Sequence, residues 1–143
     1  MSDDWKNNIE LANALLNAIK QYSVAFTPNT SNDGLVSQLY YGSPALLSED
    51  SKGSLNFYSH NANSIFGYST DEAVGMASEL LAPENLRSGR EELFAEIIAQ
   101  NQLREVETVR IHKRGHEVRI AAQVFPYVVN GEHSIAAVVK RLE

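Results

Sequence analysis

The sequence predicts an α+β protein whose five-stranded antiparallel sheet carries short helices on one face and an N-terminal helix on the other. Three strand-like runs fill the last third of the chain, at residues 105–112, 117–127 and 133–142. The last run is apolar on both faces over residues 135–139, and a strand buried on both sides needs cover on both sides of its sheet. Short helical segments before these strands supply one cover, and the amphipathic start of the chain supplies the other.

Length and composition indicate one globular domain. The chain has 143 residues, of which 43% are hydrophobic and 21% charged, so wholesale disorder is excluded. It contains no cysteine, which excludes thiol nucleophiles, thiolate metal sites and a cysteinyl-flavin adduct. The formal charge of −6 argues against a nucleic-acid or anionic-membrane partner. No signal sequence or membrane-length apolar run is recognisable, so we expect a cytoplasmic protein.

The first predicted element is an amphipathic helix over residues 3–22. We expect residues 1–25, which contain this helix, to form a segment separate from a folded domain at residues 26–143. Its apolar residues recur every three or four positions, as a helix requires. One stripe consists of Trp5, Ile9, Ala12, Leu16 and Ile19. A second stripe consists of Leu11, Leu15, Ala18 and Tyr22. Because this arc is wider than one sheet needs, we expect the first stripe to form a homodimer interface. The alternative is that the chain buries both stripes itself.

The next segment contains a loop, a short helix and the first two strands. Residues 26–34 are rich in Pro, Asn, Thr and Ser, which favour a loop. Residues 35–40 follow as a short helix. Two short strands, at residues 45–48 and 55–59, flank a turn of hairpin type.

Capping signals mark the helices between the second and third strands. Asn61 opens a helical turn that ends at Gly67. Residues 69–72 form a capping box whose helix stops at Gly75. Residues 88–91 are interpreted as a second capping box, which opens a longer helix. The apolar face of that helix contains Leu93, Phe94, Ile97 and Ile98.

Residues 57–75 resemble the signature of PAS domains. A strand there leads into a helix that ends in Phe66-Gly67-Tyr68-Ser69, and an acidic pair and a glycine close the next helix. The leading helix and residues 100–122 are similar to the MEKHLA branch of that superfamily. The resemblance covers residues 35–142 for PAS domains in general and nearly the whole chain for MEKHLA. It implies a PAS-like five-stranded sheet, a ligand pocket under the helices and frequent dimerisation, but it names no ligand, since one fold hosts many functions.

The predicted pocket would bind a small apolar or aromatic ligand. Its expected lining is Phe57, His60, Phe66, Tyr68, Phe94, Ile98, Ile120 and Val124, with His60 and Tyr68 as the polar contacts. The alternative is that these aromatic side chains fill an ordinary core. We expect no haem bound through the long helix, because residues 88–102 contain no His. The four histidines also lack metal-binding spacing, so we expect no metal.

These observations predict a stand-alone sensory and protein-interaction module that passes its signal to a partner protein. The sequence shows no nucleophile with a base and an orienting group, and no glycine-rich phosphate loop, so we expect no enzymatic activity. The alternative is a small α+β enzyme with the cone-shaped fold of steroid-isomerase-like proteins, acting on a small apolar substrate. That enzyme would need an Asp or a His projecting into an apolar cavity and two helices ahead of its sheet.

Overall fold

Five antiparallel strands form a single sheet in the computed structural model, which describes residues 4–142. The strands are β1 (Ala45–Glu49), β2 (Leu55–Tyr58), β3 (Arg104–Ile111), β4 (Glu117–Val129) and β5 (Glu132–Arg141). Their order across the sheet is β2-β1-β5-β4-β3. The helices are α1 (Ile9–Gln21), α2 (Leu35–Tyr40), α3 (Ala62–Phe66), α4 (Thr70–Ala73) and α5 (Arg90–Gln100). Short 3-10 turns cover Asp4–Asn7, Ser78–Leu81 and Glu84–Gly89. The predicted α+β class and five-stranded sheet are confirmed.

The predicted first helix is divided in two. A 3-10 turn covers Asp4–Asn7, and α1 begins after Asn8. The Asn8 Oδ1 atom accepts a hydrogen bond of 3.0 Å from the backbone N–H of Leu11. Asparagine is a preferred residue at this capping position, which explains why the helix begins there. Residue 3, where the helix was predicted to begin, and residue 143 lie outside the described residues.

The outer face of the sheet is covered by α1 and α2. The sheet supplies to this outer core Leu46, Phe57, Phe125, Tyr127, Ala136 and Val138. Leu11 and Leu15 of α1 and Val36 and Leu39 of α2 are buried in the same core. The helix α1 and the sheet therefore share one core. The division of the chain at residue 25 stays a prediction.

The inner face packs against α3, α4 and α5. From β4, this inner core receives Val118, Ile120, Ala122 and Val124. On β5, Ile135 and Val139 belong to the inner core, whereas Ala136 and Val138 belong to the outer core. The last strand is therefore buried on both sides, as its sequence predicts.

One of the two predicted capping boxes is present. The Ser69 side chain accepts from the backbone N–H of Glu72, and the Glu72 carboxylate accepts from the backbone N–H of Ser69 at 2.9 Å. The second box is wrong, since no side chain caps α5. Ser88 lies inside a 3-10 turn that leads directly into α5, and Gly89 before the helix is already helical, with φ −89° and ψ −5°. A side-chain cap needs a non-helical backbone at the capping position, directly before the helix.

Candidate functional site

A cavity of about 100 Å³ lies between the inner face of the sheet and α5. The strands line it with Leu47, Leu55, Val106, Ile120, Ala122, Val124, Ile135, Ala137 and Val139. The helical side lines it with Phe66, Leu81, Leu93 and Phe94. Most of the wall is therefore apolar.

One end of this cavity is polar. Four side chains form a polar cluster there: Glu49, Ser78, Arg90 and Arg110. The Glu49 Oε1 atom accepts from the Ser78 hydroxyl at 2.5 Å and from the Arg90 Nη2 atom at 2.6 Å. Only 16% of the Arg90 side chain and 12% of the Glu49 side chain are exposed. The ion pair of Glu49 and Arg90 is thus largely shielded from solvent, is hydrogen-bonded to Ser78 and borders the apolar space.

Strand alternation explains why two of these charged residues face the cavity. Glu49 lies two residues after Leu47 on β1, and Arg110 lies four residues after Val106 on β3, so each shares a face with an inner apolar residue. Burial lowers the pKa of Arg110, and the positive charge of Arg90 lowers it further, while Glu49 acts in the opposite direction. The polar cluster holds two guanidinium groups against one carboxylate.

The structure brings half of the predicted pocket residues to the cavity. Phe66, Phe94, Ile120 and Val124 line it. Ile98 packs beside them in the inner core.

Tyr68 also packs against the inner core but does not line the cavity. Its backbone carbonyl accepts a hydrogen bond of 2.9 Å from the buried Tyr58 hydroxyl. The predicted role of Tyr68 as a polar ligand contact thus finds no geometric support.

Two predicted pocket residues lie elsewhere. Phe57 belongs to the outer core, because neighbours on a strand point to opposite faces and Tyr58 takes the inner one. His60 is exposed, and its ring lies against Tyr40 and Tyr41 at centroid distances of 5.8 and 5.5 Å. The prediction that Phe57 and His60 share a pocket with Phe66 is therefore wrong.

The polar cluster is not among the residues that the sequence predicts for the site. The sequence pattern places Glu49 in a turn and Arg90 in a helix cap, and it gives the half-buried Arg110 no role. A usable signal exists for one of them. Arg110 lies four residues after Val106 and therefore on the same face of the strand.

The predicted dimer stripe is mostly used inside the chain. Trp5, Ala12 and Ile19 are buried in the outer core, and Leu16 is half-buried against it. Ile9 alone among the five is well exposed, at 53%. The five residues therefore form no continuous exposed surface for a partner, because α2 packs beside α1 and the helix needs its wide arc for two neighbours.

Three further features bear on the chemistry of the described chain. Residues 4–142 bring no group of three His, Asp or Glu side chains together as a metal site. Over the same residues, no helix is both long and apolar enough to cross a bilayer. The cavity lining that the structure describes contains no Asp and no His. It therefore gives no support to the enzyme alternative, which requires one of them there.

The strand order, with short helices between β2 and β3, defines a PAS fold, the fold of a class of sensory modules. The PAS domain of an HTR-like protein from Haloarcula marismortui has a TM-score of 0.61 at 14% identity, covering 73% of this chain and 86% of that one. A PAS domain from Desulfitobacterium hafniense has a TM-score of 0.61 at 18% identity, covering 68% and 92%. A fungal LOV domain photoreceptor has a TM-score of 0.54 at 19% identity, covering 68% and 74%.

The family model of the MEKHLA domain matches residues 11–142. The chain therefore belongs to the MEKHLA family, and the resemblance stated from residues 57–75 and 100–122 is confirmed. None of the curated proteins matches the sequence. The protein is a sensory module of the PAS fold.

Proposed function

We propose that this sensory module responds to a small molecule bound in the cavity beneath α5 and passes the signal to a partner protein. The cavity itself carries the proposal. Its apolar walls and single polar end are the combination typical of small-molecule sites. The space of about 100 Å³ is also large enough to hold several non-hydrogen atoms.

The volume limits the size of the ligand. An engineered apolar cavity of about 150 Å³ holds benzene. By that ratio, the cavity of about 100 Å³ accommodates on the order of four non-hydrogen atoms. This favours a small aliphatic molecule over the aromatic one that the sequence analysis allowed. The fused rings of a flavin or a porphyrin do not fit this volume in the conformation described.

Two leucine substitutions on β4 test where the ligand binds. Ala122 lines the cavity, whereas its neighbour Ala121 lies in a groove on the opposite face of the sheet. We expect native mass spectrometry of the parent, purified from its own host, to show a retained small molecule. Ala121→Leu should keep that molecule, and Ala122→Leu should lose it because the added atoms fill the space.

Folding of both variants is checked by circular dichroism. If Ala122→Leu unfolds, Ala137→Leu fills the cavity from β5, where the position is only half-buried. An empty parent in native mass spectrometry, together with no stabilisation by any compound of a metabolite screen, would contradict the proposal. Loss of the molecule from Ala121→Leu alone would move the site to the outer face.

We further propose that the module forms a homodimer through a smaller contact than the five-residue stripe. Ile9 and the half-buried Leu16 are the members of that stripe that α1 leaves accessible. A symmetric contact there would bury Ile9, and twofold dimers are the commonest soluble oligomers. The expected cytoplasmic location stays a prediction, which fractionation of the host cells would check.

A further inference from the structure

We infer that the cavity binds a short-chain carboxylate, with the carboxylate group at Arg110 and the hydrocarbon part among the apolar walls. This inference rests on the proposed function and specifies the chemical class of its ligand. It depends on the charges and hydrogen bonds of the polar cluster and on the apolar walls of the cavity.

The polar cluster contains more positive than negative charge. Glu49 is already engaged, because Arg90 and Ser78 both donate to its Oε1 atom. Arg110 forms no salt bridge with any residue of the described chain, 4–142. An arginine is protonated at all physiological pH values. The cluster therefore holds one positive charge that no carboxylate of its own neutralises at contact distance.

The hydrogen bonds point the same way. The Nη1 atom of Arg110 donates to the carbonyl of Val109 at 2.9 Å. A guanidinium has five N–H donors, and across residues 4–142 no other acceptor is bonded to this one. Burial and the neighbouring Arg90 both lower the pKa of Arg110, so the surroundings disfavour its charged form. An anion beside it would oppose both effects.

A carboxylate fits this position better than other anions. Its two oxygens match the planar donor fork of a guanidinium and can accept two parallel hydrogen bonds. The rest of the cavity is hydrocarbon, with Val106, Ile120 and Phe94 among its walls. Inorganic phosphate would leave those walls without a partner. The ligand should therefore combine one carboxylate with one or two further carbon atoms, as in acetate or propionate, within the volume limit given above.

Isothermal titration of the full chain tests the inference. The probes are sodium acetate, sodium propionate, their uncharged amides and sodium phosphate, all at constant ionic strength. We expect the carboxylates to bind saturably and to raise the melting temperature. The amides and phosphate should bind at least about tenfold more weakly, as expected from loss of a hydrogen bond to a charged group or of the apolar contact.

A matched pair of arginine variants locates the site. Arg110→Gln should weaken propionate binding about tenfold or more. Arg104→Gln removes the same charge from the same strand, but Arg104 is paired with Glu96 outside the cavity, so binding should be unchanged. If Arg110→Gln does not fold, Arg110→Lys keeps the charge without the planar fork and should still weaken binding.

Each contrary outcome has a distinct meaning. Equal binding of propionate and propionamide, unaffected by Arg110→Gln, overturns the carboxylate inference and leaves the small-molecule function intact. Phosphate binding as tight as propionate overturns the apolar part of the inference. If no probe binds, the inference is overturned, and native mass spectrometry of the host-purified protein decides separately whether the cavity holds a different ligand.

Discussion

Replacing Gly67 by alanine should destabilise the domain more than the same change at Gly75. Both glycines have a left-handed backbone, with φ of +85° and +95°, which costs any other residue about 1–2 kcal/mol. Their surroundings differ. A Cβ atom at Gly67 would lie 2.3 Å from the imidazole of His112, whereas at Gly75 no atom lies within 4 Å. The second position therefore measures the backbone cost alone.

The additional cost at Gly67 comes from moving the His112 side chain. Its ring stacks on His116 at a centroid distance of 4.3 Å, and its Nδ1 atom accepts a hydrogen bond of 3.0 Å from the backbone N–H of Arg114. A net hydrogen bond contributes about 0.5–1.5 kcal/mol, and an aromatic pair contributes a similar amount. Losing both adds about 1–3 kcal/mol. We expect a total loss of about 2–5 kcal/mol for Gly67→Ala and about 1–2 kcal/mol for Gly75→Ala.

Urea unfolding followed by the fluorescence of Trp5, the one tryptophan of the chain, measures both free energies of unfolding. A His112→Ala background supplies the control. Without the imidazole, Gly67→Ala should cost only the backbone strain, so the double-mutant cycle should show a coupling of about 1–3 kcal/mol. Equal losses at the two glycines, or a coupling of zero, would refute the argument.

Three further predictions concern stability and assembly. Burial lowers the pKa of His112, and His116 lowers it further. As the pH drops, the unfolded chain therefore takes up a proton on this residue first, near pH 6.5. The free energy of unfolding should accordingly fall as the pH drops from about 7 to about 5. His112→Gln should flatten this slope in urea titrations, and an unchanged slope would contradict the assignment. Leu15→Ala in the outer core should cost about 2–5 kcal/mol, whereas Lys20→Ala at an exposed position of the same helix should stay within about 0.5 kcal/mol. Equal losses would mean that α1 does not pack as described. In sedimentation velocity, the parent should be a dimer at high micromolar concentration and the Ile9→Glu, Leu16→Glu variant a folded monomer, whereas a monomeric parent would rule the dimer out.

The fold was accessible from the sequence because its signals are local and agree with one another. The apolar run 135–139 requires two covered faces, and the structure supplies α1 and α2 on one side and α3 to α5 on the other. The capping box at residues 69–72 begins a helix where predicted. In both cases the residues that carry the signal are the ones that make the contacts.

The site was harder to predict because alternation loses its information where both faces are buried. Phe57 and Tyr58 are both large and aromatic, so the pattern of β2 does not say which of them faces inward. Arg110 was overlooked for a related reason. A charged residue is rarely buried without a partner, so composition alone places Arg110 in solvent. Its strand position, on the same face as Val106, is the signal that indicates the cavity.

The width of the apolar arc on α1 was a correct observation with an incomplete interpretation. The arc shows how much of the helix needs cover but not which neighbour supplies it. In the structure, Val36 and Leu39 of α2 share the outer core with α1. Because α2 is only six residues long, its own pattern gives too little signal to indicate where it packs.

Methyl NMR tests the central claim, small-molecule binding in the inner cavity, most directly. In protein labelled at isoleucine δ1 methyl groups, Ile120 and Ile135 report on the cavity, and Ile19 reports on the outer core. On titration with sodium propionate at constant ionic strength, the Ile120 and Ile135 signals should shift saturably while the Ile19 signal stays in place. Saturable shifts at Ile19 without shifts at Ile120 and Ile135, or no saturable shift at any of the three, would contradict binding of this probe in the cavity.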